Sequence, residues 1–371
     1  MSFDELLHKV DEAKNSNLPF VIYRMPEVRL VQAIVQKDDR LDYADDFSTS
    51  GFVMAPFDAS RKAVLFAEKN TRRFSCNLKD GDLSYVNITK NQIQPSHLKE
   101  AKEKHLKLVK KGIKGIENGH FLKTVLSRSE IVKLDHLNIA NIFQRLMSQY
   151  QSAFVYVWFH PKIGLWGGAS PETLLKTKGN IFQTMSLAGT QKYTGTVDVL
   201  WGEMEIREQQ MVTEHIVESL EAIKLAVSDT YTKKAGNLLH LCNDIKGTLA
   251  DGDSLKDLLE KLHPTAAVCG LPRKKVREFI LREEGYDRSF YTGFLGEIHH
   301  RDKDDKASDE ENFRSSESIL FVNLRCMQLV EGQNSEAIIY VGGGITLDSD
   351  PLAEWQETVH KSLIMKSVIE D

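Results

Sequence analysis

"AFVYVWFH", Ala153 to His160, sets seven apolar residues in a row ahead of a histidine. The run falls far short of the roughly 18 residues that cross a bilayer, and its length and its Val, Tyr, Phe and Trp content fit a buried strand. A helix candidate, "NIANIFQRLMSQY" (138–150), precedes it, and before that comes the strand candidate "HFLKTVLSR" (120–128). Helical spacing returns over "SHLKEAKEKHLKLVKK" (96–111), with Ser96 in a capping-box-like place. Toward the N-terminus "KAVLFA", "GFVMAPFD", "VRLVQAIVQ" and "PFVIYRM" read as short strands behind an amphipathic first helix. Strands and helices mix without strict βαβ alternation, which predicts an α+β fold with layered, mostly antiparallel sheets rather than a doubly wound one.

At 371 residues the chain can bury a large core, and one large mixed domain is allowed. A net charge of -5 leaves no electrostatic footprint for nucleic acid, and no apolar run is long enough for a membrane helix, so a cytoplasmic protein with neither partner is expected. Cys76, Cys242, Cys269 and Cys326 are scattered without a C-x-x-C pair, which suits a reducing compartment and predicts neither disulfides nor structural zinc. "HHRDKDDKASDEENFRSSES" (299–318) is dense in charge between two strand-like runs, "FYTGFLGEI" and "ILFVNLRCMQLV", and predicts a mobile loop in a long hairpin.

Two helices carry paired glutamates. "LDSDPLAEWQETVHK" (347–361) starts with a capping Asp350 or Ser349 and with Pro351 at the first helical position, and it sets Glu354, Glu357 and Lys361 on one face. "WGEMEIREQQMVTEHIVESLEAIKLAV" (201–227) repeats the i, i+3 spacing with Glu205 and Glu208, over an apolar face of Met211, Ile216, Leu220 and Ile223. Either pair alone reads as a solvated stripe; four carboxylates converging from two helices would suit magnesium, a hard cation that prefers oxygen ligands. "VGGGI" (341–345) follows a strand just upstream of the helix at 347–361, where glycine amides and a helix N-terminus could hold an anion, or where a tight strand-to-helix turn needs glycine. Glu172 follows a Ser-Pro turn. Lys123 alternates with apolar neighbours, and it is either a snorkelling edge lysine or an inward one whose burial makes it a usable base.

Ten blocks in one order, "FLKTVLSR", "GGASPETLL", "SLAGT", "EIREQQMV", "LLHLCNDIKGTL", "LHPTAAVCGLP", "SFYTGFLGEI", "FVNLRC", "VGGGI" and "DPLAEWQETVHK", resemble the chorismate-binding enzymes. The resemblance implies a single large domain with the active site in a deep cleft: residues 1–110 a weakly matching N-terminal part, 111–371 the catalytic region. It implies chorismate as substrate and Mg2+ as cofactor, with Glu208 and Glu357 as direct ligands and Glu205 and Glu354 holding the metal's waters. Lys123 matches the general base that activates water and Glu172 the general acid, with the lysine's pKa pushed down and the glutamate's pushed up. His240 lies near the carbon 4 hydroxyl or the ring carboxylate, or is a structural histidine of its strand. Thr190, Tyr291, Arg325, Lys361 and the amides of Gly342, Gly343 and Gly344 are the implied substrate contacts, Lys361 in preference to a surface pair.

Within that family the sequence resembles isochorismate synthases most. Ala188 stands where aminodeoxychorismate synthases have a nucleophilic lysine, and Ala267 where salicylate and anthranilate synthases have threonine. Departures from the common pattern are Gln209 in place of histidine, "QKYTG" after "SLAGT", and the missing second proline of "LHPTAAV". The resemblance further implies a monomer with no obligatory protein partner, whose product feeds menaquinone or catechol siderophore synthesis. Salicylate synthase, anthranilate synthase component I and a catalytically silent binding protein are the alternatives.

Overall fold

A computed structural model describes residues 1–83, 98–220, 224–235, 238–250, 252–300 and 316–369. Two antiparallel sheets share the chain. The first runs, edge to edge, Gly270–Leu271, Lys123–Leu134, Ser335–Ile345, Cys326–Val330, Gly164–Ser170, Phe154–His160, Phe20–Arg24, Leu30–Gln36 and Thr71–Asn77. The second runs Leu225–Val227, Leu238–Thr248, Ile181–Lys192, Thr173–Lys178, Glu317–Val322, Phe294–His300, Gly51–Ala55, Ala63–Ala67 and Asp42–Ala44, with Tyr231–Ala235 also paired to Leu238–Thr248. The expected α+β class with antiparallel sheets is what the chain adopts.

The layering explains the unbroken apolar run at 153–160. Tyr156 and Trp158 point between the sheets, among Tyr23, Phe52, Phe66 and Trp166. Their strand neighbours Val155, Val157 and Phe159 face the other way, into the core covered by helices Phe3–Asn15, Ile139–Gln149 and Pro351–Ile369. A strand buried on both faces loses the alternation that a half-solvated strand would show. Helices Glu203–Ser219 and Leu255–Leu262 cover the outer face of the second sheet through Val212, Ile216, Leu258 and Leu259. The N-terminal strands are woven in, since Phe20–Arg24 lies between Phe154–His160 and Leu30–Gln36. All four cysteines are buried and free. Among the described residues no helix is long and apolar enough to cross a membrane.

Several expectations need adjustment. The helix expected over 201–227 ends at Ser219, and Leu225–Val227 is an edge strand. There Leu225 packs over Gly247, a position where a Cβ would also overlap the Phe182 ring. Ile223 and the Ser96 cap lie outside the described residues, and so do residues 301–315 of the charged stretch. Its flanks do form an antiparallel hairpin, with His300 opposite Glu317. The run "ILFVNLRCMQLV" is two strands in different sheets, broken at residues 323–325.

That break is one of two crossings between the sheets that are bonded to each other. Gly164–Ser170 passes into Thr173–Lys178 through Pro171 and Glu172, and Glu317–Val322 returns to Cys326–Val330 through Asn323, Leu324 and Arg325. The crossings are bonded to each other: Val322 N–H donates to the Glu172 carbonyl at 3.0 Å, Ala169 N–H to the Arg325 carbonyl at 3.0 Å, and Ser170 Oγ to the Val322 carbonyl. Asn323, fully buried, pins a third segment by donating from Nδ2 to the Phe290 carbonyl at 2.9 Å and accepting from the Tyr156 hydroxyl at 2.7 Å. Asn323→Leu should cost about 2–4 kcal/mol, because it strands a buried hydroxyl and a buried carbonyl. Denaturant unfolding should show a lower midpoint at unchanged slope, and Tyr156→Phe, which removes one partner only, should cost less.

Candidate active site

The crossings deliver side chains to one cleft. Its cavity, about 280 Å³, is lined by Lys123, Glu172, Glu208, His240, Arg325 and Glu357 among others, and Thr190, Glu205, Tyr291, Gly342, Gly343, Gly344, Glu354 and Lys361 line it too. Every residue expected to act in catalysis, substrate contact or metal binding therefore lines one cleft.

Lys123 opens its strand and is 1% exposed, so it is the inward lysine and not an edge one. Its Nζ lies 2.7 Å from Glu208 Oε1. Burial would raise the Glu208 carboxyl, but the Lys123 ammonium, with help from Lys361 and the Gly189 N–H, holds it below the usual range. Glu172, buried at the crossing, has the opposite fate. Desolvation pushes its carboxyl up to about 8 against the charges of Lys233 and Lys123, so it carries its proton at neutral pH.

His240 sits in Leu238–Thr248 with Nδ1 2.8 Å from the Gly189 carbonyl and 3.4 Å from Thr190 Oγ1. Burial, then the charge of Arg325, pushes its pKa down to about 3, so the ring is neutral. A neutral ring that donates from Nδ1 leaves Nε2 as an acceptor, and Nε2 is buried without a protein partner. Gly189, at a φ of +67°, makes this approach possible; it lies where the pairing of Ile181–Lys192 with Leu238–Thr248 shifts register, between Ala188 and Gln191. Arg325 also adopts a positive φ, +46°. Its guanidinium lies over the Tyr150 ring, 5.8 Å from the centroid, and Nη1 is buried and unpartnered, as a donor awaiting an anion would be.

On the second acidic helix Asp350 is the cap, accepting from Ala353 N–H at 2.8 Å. Ser349 instead donates to Glu354 Oε1 at 2.7 Å. Burial, and the neighbouring Glu357 and Glu208 charges, push Glu354 up to about 7, and its Oε2 has no partner. Lys361, read from the sequence as a substrate contact in preference to an i, i+4 pair, does make that pair, at 2.6 Å from Glu357 Oε1; it also donates to the Gly342 carbonyl at 2.9 Å, and it does both inside the cleft. The glycines are not a strand-to-helix turn. Gly342, Gly343 and Gly344 lie within Ser335–Ile345, paired to Ser127, Leu126 and Val125, and the helix begins only at Pro351. Their role is steric: a Cβ on Gly344 would lie 2.7 Å from Glu208 Oε1, and one on Gly343 3.2 Å from Glu354 Oε2.

The four expected metal ligands do not form a cage as they stand. Glu208 and Glu357 are each taken by a lysine, and Glu205 turns back over the start of its own helix, at Gly202. Among the described residues no three His, Cys, Asp or Glu side chains converge to hold a metal. The donor chemistry nevertheless fits a hard cation, because Glu354 Oε2 is a buried oxygen with no partner beside two further carboxylates.

Sequence reading missed the scaffold behind the cleft. Arg288 and Glu284 form a buried ion pair at 2.5 Å. Arg288 donates to the carbonyls of Val125 (2.7 Å) and Val268 (3.0 Å), and Glu284 accepts from Ser127 N–H at 2.8 Å. The two spaced charges sit at i, i+4 and resemble any surface pair in sequence.

Comparison with known proteins places the chain in a family. The model of the family described as chorismate binding enzyme matches residues 62–370. The chain is 28% identical over 272 residues to the salicylate biosynthesis isochorismate synthase of Pseudomonas aeruginosa, covering 70% of this chain and 53% of that protein. It is 27% identical over 331 residues to isochorismate synthase DhbC of Bacillus subtilis, covering 82% and 77%. The chain thus spans about half the length of the first of these relatives. In fold it is similar to a putative 2,3-dihydroxybenzoate-specific isochorismate synthase, DhbC, from Bacillus anthracis, with a TM-score of 0.75 at 22% identity over 98% of this chain and 99% of the other. A match over residues 62–370 takes in both crossings and every cleft residue named above, and the chain belongs to the chorismate binding enzyme family.

Proposed function

We propose that the protein is an isochorismate synthase, converting chorismate to isochorismate by adding water at ring carbon 2 and expelling the hydroxyl of carbon 4. The observation that carries this reading is that two buried proton-transfer groups share one cleft: Glu172, held protonated by burial, and the side chain of Lys123. In the proposed step Lys123 Nζ takes a proton from the attacking water and Glu172 gives its proton to the leaving hydroxyl, so one water enters and one leaves. Paired with Glu208, Nζ is an ammonium, so it has to pass a proton to solvent and part from that carboxylate before it can act as the base. The neutral His240 would accept a hydrogen bond at Nε2 from a substrate hydroxyl, and Arg325 would take a substrate carboxylate.

Mg2+, held by Glu208 and Glu357 with Glu205 and Glu354 on its waters, would supply positive charge for one carboxylate of the dianionic substrate. Ala188 and Ala267, both on the cleft wall, support retention of the pyruvyl group, since neither offers the lysine or threonine associated with the other branches of the family.

Incubation with chorismate and Mg2+ followed by chromatography should yield isochorismate; accumulation of salicylate or anthranilate without it would replace this reading with an alternative. Glu172→Gln should lower kcat by about 10²–10⁴-fold, and wild-type turnover in that variant would remove the assigned acid. Because the acid must be protonated, and its pKa is pushed up to about 8, kcat of the native protein should fall as pH rises through about 8. Gly344→Ala should abolish turnover with little change in thermal midpoint, because the added methyl displaces Glu208 and Lys123 rather than a core side chain.

A further inference from the structure

Lys233 lies outside every role assigned so far. It sits on the edge strand Tyr231–Ala235, directly opposite His240, and residues opposite one another in an antiparallel pair project from the same face. Its side chain therefore leaves the sheet on the side of His240, toward the cleft. It reaches back across the neighbouring strand, so that Nζ comes to 3.4 Å from Met185 Sδ, on Ile181–Lys192. Met185 packs there with Leu187 and Cys242. The next strand in, Thr173–Lys178, follows directly on Glu172. The ammonium is half-buried, and among the described residues it has no carboxylate within ion-pair distance.

A half-buried ammonium resting on a thioether is a costly arrangement unless an anion forms nearby. We propose that Lys233 is the counter-cation of Glu172, held in reserve for the carboxylate that Glu172 becomes when it gives up its proton. This rests on the reading of Glu172 as general acid. The groups facing Glu172 are Lys123 from its strand, Cys242 from Leu238–Thr248, and Lys233. Lys123 is already matched by Glu208 at 2.7 Å, and the Cys242 thiol, pushed up chiefly by burial, stays neutral. Among the described residues Lys233 is the remaining charge facing Glu172 without a carboxylate partner, and its influence on Glu172 exceeds that of Lys123. After turnover the proton gained by Lys123 and the one lost by Glu172 balance through solvent, and the Lys233 pair breaks again. Lys233 is a positioning residue, since it acts through Glu172.

The test is the titration of Glu172 in full-length, substrate-free protein carrying 13C-labelled glutamate, with its resonance assigned through Glu172→Gln. Lys233→Met should raise the midpoint by about one pH unit, and Lys233→Arg should leave it near the native value. An unchanged midpoint in Lys233→Met overturns the proposal. Read without substrate, this result is independent of which product chorismate gives, so failure of the proposed reaction and failure of this assignment are separable. In turnover, Lys233→Met should lower kcat by about tenfold with KM nearly constant; a rise in KM alone would make Lys233 a substrate contact and also overturn the assignment.

Discussion

The paired crossings at Pro171–Glu172 and Asn323–Arg325 are the constraint on which the cleft depends. A chain that leaves one antiparallel sheet for the other must turn where no ladder partner is available, and backbone groups at such a corner need other acceptors and donors. Here the corner supplies its own: Glu172, Val322, Ala169 and Arg325 exchange backbone bonds, and Asn323 closes the remainder with its side-chain amide. Because both crossings must pack against each other, Glu172 and Arg325 emerge side by side in the same cleft. Burial then follows from position in the fold, and the raised pKa of Glu172 follows from burial.

Charge compensation sets the rest of the site. Five carboxylates, Glu172, Glu205, Glu208, Glu354 and Glu357, line one cavity, and they are handled in four ways. Glu172 keeps its proton, Glu208 and Glu357 hold lysines, Glu205 turns to its helix N-terminus, where the dipole favours a negative charge, and Glu354 is left partly unsatisfied. Glycines at 343 and 344 make the room these side chains fill. Behind them Arg288 and Glu284 tie the strand of Lys123 to the loop at Val268, and breaking one partner of such a buried pair costs about 3–5 kcal/mol.

Much of this was legible in the chain. The unbroken run at 153–160 announced a buried strand, and Pro351 behind Asp350 announced the last helix, because caps and turn residues act locally. The i, i+3 glutamates on two helices pointed to a shared site, and both pairs line it. What could not be read depends on contacts distant in sequence. "VGGGI" looks like a turn, since nothing local shows that strand Lys123–Leu134 pairs with it or that glutamates need the space. The break at 323–325 hides within an apolar run, because a change of sheet leaves no mark when both sheets bury their strands. Lys233 has no neighbour in sequence to suggest a role, and only the pairing with His240 turns it toward the cleft.

The central claim is that water, activated at Lys123, adds to ring carbon 2 while Glu172 protonates the hydroxyl that leaves carbon 4. Turnover of chorismate in 18O-enriched water, with the product read by mass spectrometry and NMR, tests it most directly. The account predicts isochorismate carrying one 18O atom, in the carbon 2 hydroxyl; product whose carbon 2 hydroxyl keeps the substrate's own oxygen would contradict it.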